Sequence, residues 1–268
     1  MNPVGKYGVI DGLHRLNLKQ RTNSGIVSLG MVISIPEPSL AEIAALAGCD
    51  FVRIEMEHNL FNVESIQHII RAADCCGIAS YVRVDQYDLI TPLLDFGVEG
   101  LMFPHVRSAA QAKDLVDRVK YAPVGRRGIA SSGRAQRYGT MKFLDYVKET
   151  EQDVFLQVQI EDKEGIENME EIIATPGVDY ICSGRNDIAQ ALGLLGQSND
   201  SRVSEIENRI LDIAGKHGKR CTFLVDTIER AQYYYDKGVR TFPMCDDKNL
   251  LFKAVKAKVD LFKGLASP

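Results

Sequence analysis

What most constrains this chain is a repeat of pattern rather than of letters. From Gly25 onwards, eight short apolar runs succeed one another, each followed by a stretch with helical spacing and with no break in composition. The runs fall at residues 26–33, 51–54, 79–84, 100–103, 154–160, 178–182, 221–225 and 240–244. Runs this short and this apolar are buried on both faces, as parallel strands covered by helices are. Residues 63–75 show the intervening pattern, with Val63, Ile66, Ile69, Ile70 and Ala73 on one helical face. Ser39 is placed to cap a helix running through Ala47, and residues 247–262 close the chain as a helix. Eight strand–helix pairs predict an α/β fold, a (β/α)8 TIM barrel. A doubly wound open sheet would carry a Gly-rich nucleotide turn after the first strand, and Pro36-Glu37-Pro38 is not one. The reading is a single domain over residues 1–268. Residues 1–24, with a modest pattern through Ile10, Leu13, Leu16 and Leu18, form an N-terminal extension or capping helix.

Composition narrows the partners. A net charge of -4 gives no basic field for nucleic acid, and Lys and Arg are spread along the chain apart from Arg126-Arg127 and Arg134 to Arg137. No apolar stretch is long enough to cross a membrane, and the first residues have no apolar signal core. Six cysteines show no CxxC or finger spacing, and two of them, Cys75 and Cys76, are adjacent; reduced thiols in a cytoplasmic protein are expected. The Gly-rich segment 122–139 is too long for an ordinary connection and is a candidate functional loop.

In a barrel of this kind, polar residues at the C-terminal ends of strands converge on one mouth. Glu161 ends the fifth run and Asp187 follows the sixth, 26 residues later, one strand–helix–strand unit. Two carboxylates on one rim repel unless a cation lies between them, and a divalent metal with oxygen ligands is the simplest candidate. The other ends supply Glu57 and His58, Arg83, His105, Gln159 and Asn186. This set suits formation of an enolate from a 2-oxo acid, with Glu161 and Asp187 on the metal. His58 would move the proton, since imidazole titrates near neutrality. Arg83, a charge in an otherwise apolar strand, would face the developing oxyanion. Glu55 and Glu57 are read as tuning the mouth, and His105 as supporting the site. Any one of these residues has an ordinary structural explanation; their occurrence at four successive strand ends is what carries the reading.

These residues resemble the HpcH/HpaI aldolase family, metal-dependent pyruvate aldolases acting on 4-hydroxy-2-oxo acids. The similarity runs from about Ser24 to Phe262 through Glu57-His58, Val82-Arg83-Val84, Leu94-Asp95-Phe96-Gly97, Gly125-Arg126-Arg127-Gly128, Gln157-Val158-Gln159-Ile160-Glu161 and Ser183-Gly184-Arg185-Asn186-Asp187. The resemblance implies a barrel of the phosphoenolpyruvate/pyruvate type. It implies His58 as proton acceptor, Arg83 as transition-state stabiliser, and Glu161 and Asp187 as ligands of Mg²⁺ or Mn²⁺, with Co²⁺ an alternative. It also implies Gln159 and Asn186 as substrate contacts and Asp95 as the acid that raises histidine basicity. The helical pattern puts Asp95 on the wrong rim for His58 of its own subunit, so it would have to act across an oligomer interface. A homo-oligomer, a hexamer in the family, is expected.

The chain departs from the family pattern at Gly184-Arg185-Asn186-Asp187, where the family has Gly-Pro-Ala-Asp, and at Glu55-Met56-Glu57-His58, where it has Asp-Gly-Glu-His. Ser28 replaces a common aromatic, and the Arg83–Asp95 connection is short. Arg185 is placed to meet an anionic substrate. The leading expectation is a divalent-metal-dependent aldolase that cleaves a 4-hydroxy-2-oxo acid to pyruvate and an aldehyde, or condenses them. The alternatives are a decarboxylating or citrate-synthase-like condensing enzyme using oxaloacetate, and a non-catalytic metabolite-binding barrel.

Overall fold

The computed structural model describes residues 17–266. Eight parallel strands make one sheet: β1 Ser28–Ile33, β2 Phe51–Glu55, β3 Ala79–Arg83, β4 Gly100–Phe103, β5 Phe155–Ile160, β6 Tyr180–Ser183, β7 Arg220–Cys221 and β8 Thr241–Asp246. Each strand from β1 to β6 pairs with the next, and β1 pairs with β8. The seam between β7 and β8 is crossed by a bridge from Thr222 to Thr241, and Val225 N–H donates to the Pro243 carbonyl at 3.0 Å. The result is a nearly closed barrel with helices outside, the (β/α)8 architecture that the alternating pattern predicts. The seventh strand is shorter than expected, because the chain leaves the ladder after Cys221.

Alternate residues of each strand face inwards. At the N-terminal end the interior is filled by rings: Phe51 lies 5.6 Å from Tyr81, Tyr81 5.4 Å from Phe155, and Phe155 4.9 Å from Tyr180, centroid to centroid. Strand glycines make room for them. A Cβ on Gly30 or Gly100 would come within 2.4 Å of the Phe51 or Phe155 ring. Leu18, 1% exposed, packs with the same ring cluster from the short helix Leu18–Asn23, within the expected 1–24 extension, of which residues 1–16 lie outside the described residues. Outside the barrel, Ile66, Ile69, Ile70 and Ala73 of the helix Val63–Cys75 are fully buried against the strands, while Val63 in its first turn is exposed.

Two local features depart from expectation, and the closing helix forms where it was expected. Ser39 does not cap its helix but begins it, and Glu37 accepts both the Ser39 N–H (3.1 Å) and its hydroxyl (2.9 Å). The segment 122–139 is a helix-to-strand connection, so it lies at the end of the barrel away from the strand C-termini. Its arginines meet carboxylates there: Arg126 with Asp117 (2.7 Å), Arg127 with Asp95 (2.5 Å) and Arg134 with Asp74 (2.6 Å). Finally, the helix Asp247–Lys263 anchors through Asp247, whose carboxylate accepts the N–H groups of Ser34 and Ile35 at 2.8 Å. Beyond that anchor it exposes Leu250, Leu251, Phe252, Val255 and Phe262. Among the described residues, no helix is long and apolar enough to cross a membrane.

Candidate active site

The C-terminal strand ends deliver an acidic cluster with two cationic partners. Glu55, the last residue of β2, is in register with Arg83, the last of β3. Arg83 Nε donates to Glu55 Oε2 at 2.5 Å, and its Nη1 pairs with Glu57 at 2.9 Å. Burial works against the Arg83 cation, but Glu55, Glu57 and Glu161 outweigh it and strengthen its protonation. His105 follows β4 with a φ of 55°, a left-handed conformation costly for a residue with a side chain. That turn aims its backbone N–H at Glu161 Oε1 (3.0 Å) and puts its imidazole between Glu57 (3.0 Å), Glu161 (3.3 Å) and Asp162 (3.2 Å).

Glu161, just past β5, is 1% exposed. Burial pushes its carboxyl up to about 7; the His105 N–H and imidazole oppose this, and the Asp187 and Glu57 charges add to it. Gln159 Nε2 donates to Glu161 Oε2. Gly184 is required beside it, since a Cβ there would stand 1.9 Å from Glu161 Oε2. Glu57, His105 and Glu161 offer ligand atoms that all lie within 4.8 Å of one another. A hard-oxygen set with one imidazole, a buried carboxylate with too little compensating charge and a glycine-walled cradle fit a divalent cation.

A cavity of about 430 Å³ lies beside this cluster, and its walls include His58, Arg83, Gln159, Arg185, Asn186 and Asp187. The sequence-selected residues are therefore brought to one place, with three qualifications, the first being that Asp187 lines the cavity but lies outside the Glu57–His105–Glu161 group. Arg185 is not free for an anion: its Nη1 donates to Glu207, its Nε donates to the Ser198 carbonyl at 3.0 Å, and Glu207 also takes the Tyr234 hydroxyl (2.6 Å). Asp95 is not in the cavity wall. It ends the helix Ile90–Phe96 and pairs with Arg127. Two residues play a larger part than the sequence reading gave them. Glu57 and His105, read as tuning and support, belong to the group that can hold the ion; an imidazole following Pro104 at a strand end was the available signal.

Comparison with known proteins places the chain in a family. The sequence profile described as "HpcH/HpaI aldolase/citrate lyase" matches residues 29–253. The chain belongs to that HpcH/HpaI family. A hydroxypyruvate/pyruvate aldolase of Pseudomonas aeruginosa is 33% identical over 92% of this chain and 92% of that protein. A 5-keto-4-deoxy-D-glucarate aldolase of Klebsiella pneumoniae is 31% identical over 88% of this chain and 93% of its own length. Among solved structures, the citrate synthase SbnG superposes with a TM-score of 0.86 at 31% identity, covering 94% of this chain and 99% of that one. Membership of the HpcH/HpaI family makes this chain an enzyme of the aldolase and lyase kind. The four strand ends that bear Glu57, Arg83, His105 and Glu161 all lie inside the matched region.

Proposed function

We propose that the protein is a divalent-metal-dependent aldolase that cleaves or forms 4-hydroxy-2-oxo acids through a pyruvate enolate. The observation that carries this is the buried Glu161 carboxylate, set among Glu57, His105 and Asp187 beside an Arg83 held by two other carboxylates. Glu161 and Asp187 would hold the ion, Mg²⁺ or Mn²⁺ first and Co²⁺ as an alternative, with Glu57 and His105 within reach. When bound, the cation supplies Lewis-acid polarisation of a 2-oxo acid. The chain's own groups do the rest. Glu55 and Glu57 fix the Arg83 guanidinium so that it meets the oxyanion without reorganisation. His58, exposed on the mouth and 3.6 Å from Glu57, takes or returns the proton. Gln159 and Asn186 contact the substrate from the cavity wall, and Arg185 shapes that wall through Glu207.

The exposed apolar side chains of the helix Asp247–Lys263 support a homo-oligomer, a hexamer in this reading. Asp95 would then serve a site only from a neighbouring copy. All six cysteines are free, which supports a cytoplasmic setting. A second reading, condensation or decarboxylation of oxaloacetate on the same residues, is favoured by the likeness to citrate synthase SbnG. The test is metal-dependent release of pyruvate from 4-hydroxy-2-oxo acids, compared with turnover of oxaloacetate. Turnover of the first class supports the aldolase, and of oxaloacetate alone the second reading. Turnover of neither with Mg²⁺ or Mn²⁺ overturns both and leaves a metabolite-binding barrel, whose ligand response would survive Glu161→Ala.

A further inference from the structure

The residue that the reaction above leaves unused is Arg53. Phe51, Arg53 and Glu55 share the inward phase of β2: Phe51 lies in the ring cluster at the closed end and Glu55 at the mouth. Arg53 stands between them, one inward position or roughly 6–7 Å below Glu55 along the strand. There it lines the cavity with Met102, Cys182 and Thr222. Its side chain is 11% exposed.

Four arginines line this cavity, and three of them are satisfied. Arg83 has Glu55 and Glu57, Arg185 has Glu207, and Arg230 donates to Asn199 at 3.0 Å and Asp226 at 3.4 Å. Arg53 differs. Its Nη2 is 3.6 Å from Glu55 Oε2, the same oxygen that already accepts from Arg83 at 2.5 Å. Its Nη1 reaches the Met102 sulfur at 3.9 Å, the buried Tyr81 hydroxyl lies beside the guanidinium, and its buried Nε has no hydrogen-bond partner. A guanidinium carries five donors in a fixed fork that matches a carboxylate, and burying one with its donors unmet is costly. A permanent cation held this way at the floor of a substrate cavity is arranged for an anion that arrives with the substrate.

We propose that Arg53 is a specificity-determining residue that binds a second carboxylate of the substrate, the far carboxylate of a dicarboxylic 2-oxo acid. The proposal rests on the metal-dependent reading above, in which the Glu161–Asp187 end takes the 2-oxo acid head. It transfers to Arg53 the anion-recognising part that the sequence suggested for Arg185, whose charge Glu207 already neutralises. A cavity of about 430 Å³ accommodates such a ligand.

Stable hydroxy acids isolate the binding question from turnover. Lactate and racemic malate share a 2-hydroxy acid head and differ in the second carboxylate. Titration calorimetry with the Mg²⁺-loaded full-length protein is expected to show malate binding at least tenfold tighter than lactate. In Arg53→Met that ratio should fall to within twofold, with the lactate affinity unchanged. Arg53→Lys, a point charge without the fork, should fall between the two and guards against a folding defect in the first variant. Circular dichroism checks that both variants are folded. Malate binding no tighter than lactate in the wild type, or an unchanged ratio in a folded Arg53→Met, overturns the role of Arg53 and leaves the aldolase reading intact. Failure of both ligands to bind overturns the proposal together with the reading beneath it.

Discussion

Arg83 Nε sits 2.5 Å from Oε2 of Glu55, its register partner on the neighbouring strand, with Glu55 buried and Arg83 half-buried near the mouth of the barrel. The pair is set by topology: parallel β2 and β3 end level, so their last inward residues must meet. A guanidinium aimed in advance costs no reorganisation when charge develops. Glu55→Gln keeps the shape and removes the anion that orients Arg83. The expected result is a fall in kcat of roughly 10–100-fold, the usual effect of losing a supporting partner, with KM changing less. Steady-state kinetics on whichever 2-oxo acid substrate is turned over checks this. An equal rise in KM at constant kcat would mean that Arg83 binds substrate and transition state alike.

Gly184→Ala tests the cradle. The added methyl would stand 1.9 Å from Glu161 Oε2 and 2.6 Å from Gln159 Nε2, so the carboxylate must swing away. Affinity for Mn²⁺, followed by titration calorimetry or by the spectrum of the free ion, should drop about 10–100-fold. The thermal midpoint should move little, because the methyl meets two polar side chains of the site and not the packed helices. An unchanged Mn²⁺ affinity would take Glu161 out of the ion site.

The barrel, and the gathering of most candidate residues at one cavity, could be read from the sequence, because both follow from strand periodicity. A residue that ends an apolar run points to the mouth wherever the helices lie. What could not be read is pairing. Arg185 and Glu207 are 22 residues apart in sequence, and nothing before the fold shows that one neutralises the other. Arg53 escaped notice because a single charge inside a run of Phe, Val and Ile looks like noise until the inward phase of Phe51 and Glu55 is known. His105 depends on a left-handed backbone at a non-glycine residue, which no side-chain pattern encodes. The segment 122–139 was conspicuous for its glycines and arginines, yet its three ion-paired arginines are taken up by Asp117, Asp95 and Asp74 at the opposite end of the barrel.

A prediction for stability comes from that opposite end. Asp179 receives Lys120 (2.7 Å), Lys19 (2.8 Å) and the Leu156 N–H (2.9 Å). Burial works to raise the Asp179 carboxyl, but the two ammonium groups outweigh it and hold it below the usual range. Burial pulls Lys120 down as well, so it is the less compensated partner, and Asp179 governs the acid side. A folded pKa below the unfolded one adds stability above the unfolded value, and this is lost as pH falls through the folded value. Asp179→Asn should therefore cost about 3–5 kcal/mol near pH 7, where it leaves Lys120 buried without its counter-charge. Urea titrations from pH 7 downward should show the gap narrowing below about pH 4. A gap independent of pH would assign the loss to packing.

His105→Gly separates strain from chemistry at a single position. Glycine adopts a φ of 55° freely, so the backbone N–H can stay on Glu161 while the left-handed penalty of about 1 kcal/mol disappears. The imidazole is lost at the same time, and with it the one nitrogen among the oxygens around the ion site. A nitrogen donor favours Mn²⁺ and Co²⁺ over Mg²⁺, so the variant should lose affinity for the transition metals by about tenfold while Mg²⁺ affinity changes far less. His105→Ala removes the same imidazole but keeps the strain, so it should match the glycine variant in metal preference and fall below it in stability. If both variants kept the wild-type order of metals, His105 would be a backbone donor to Glu161 and nothing more.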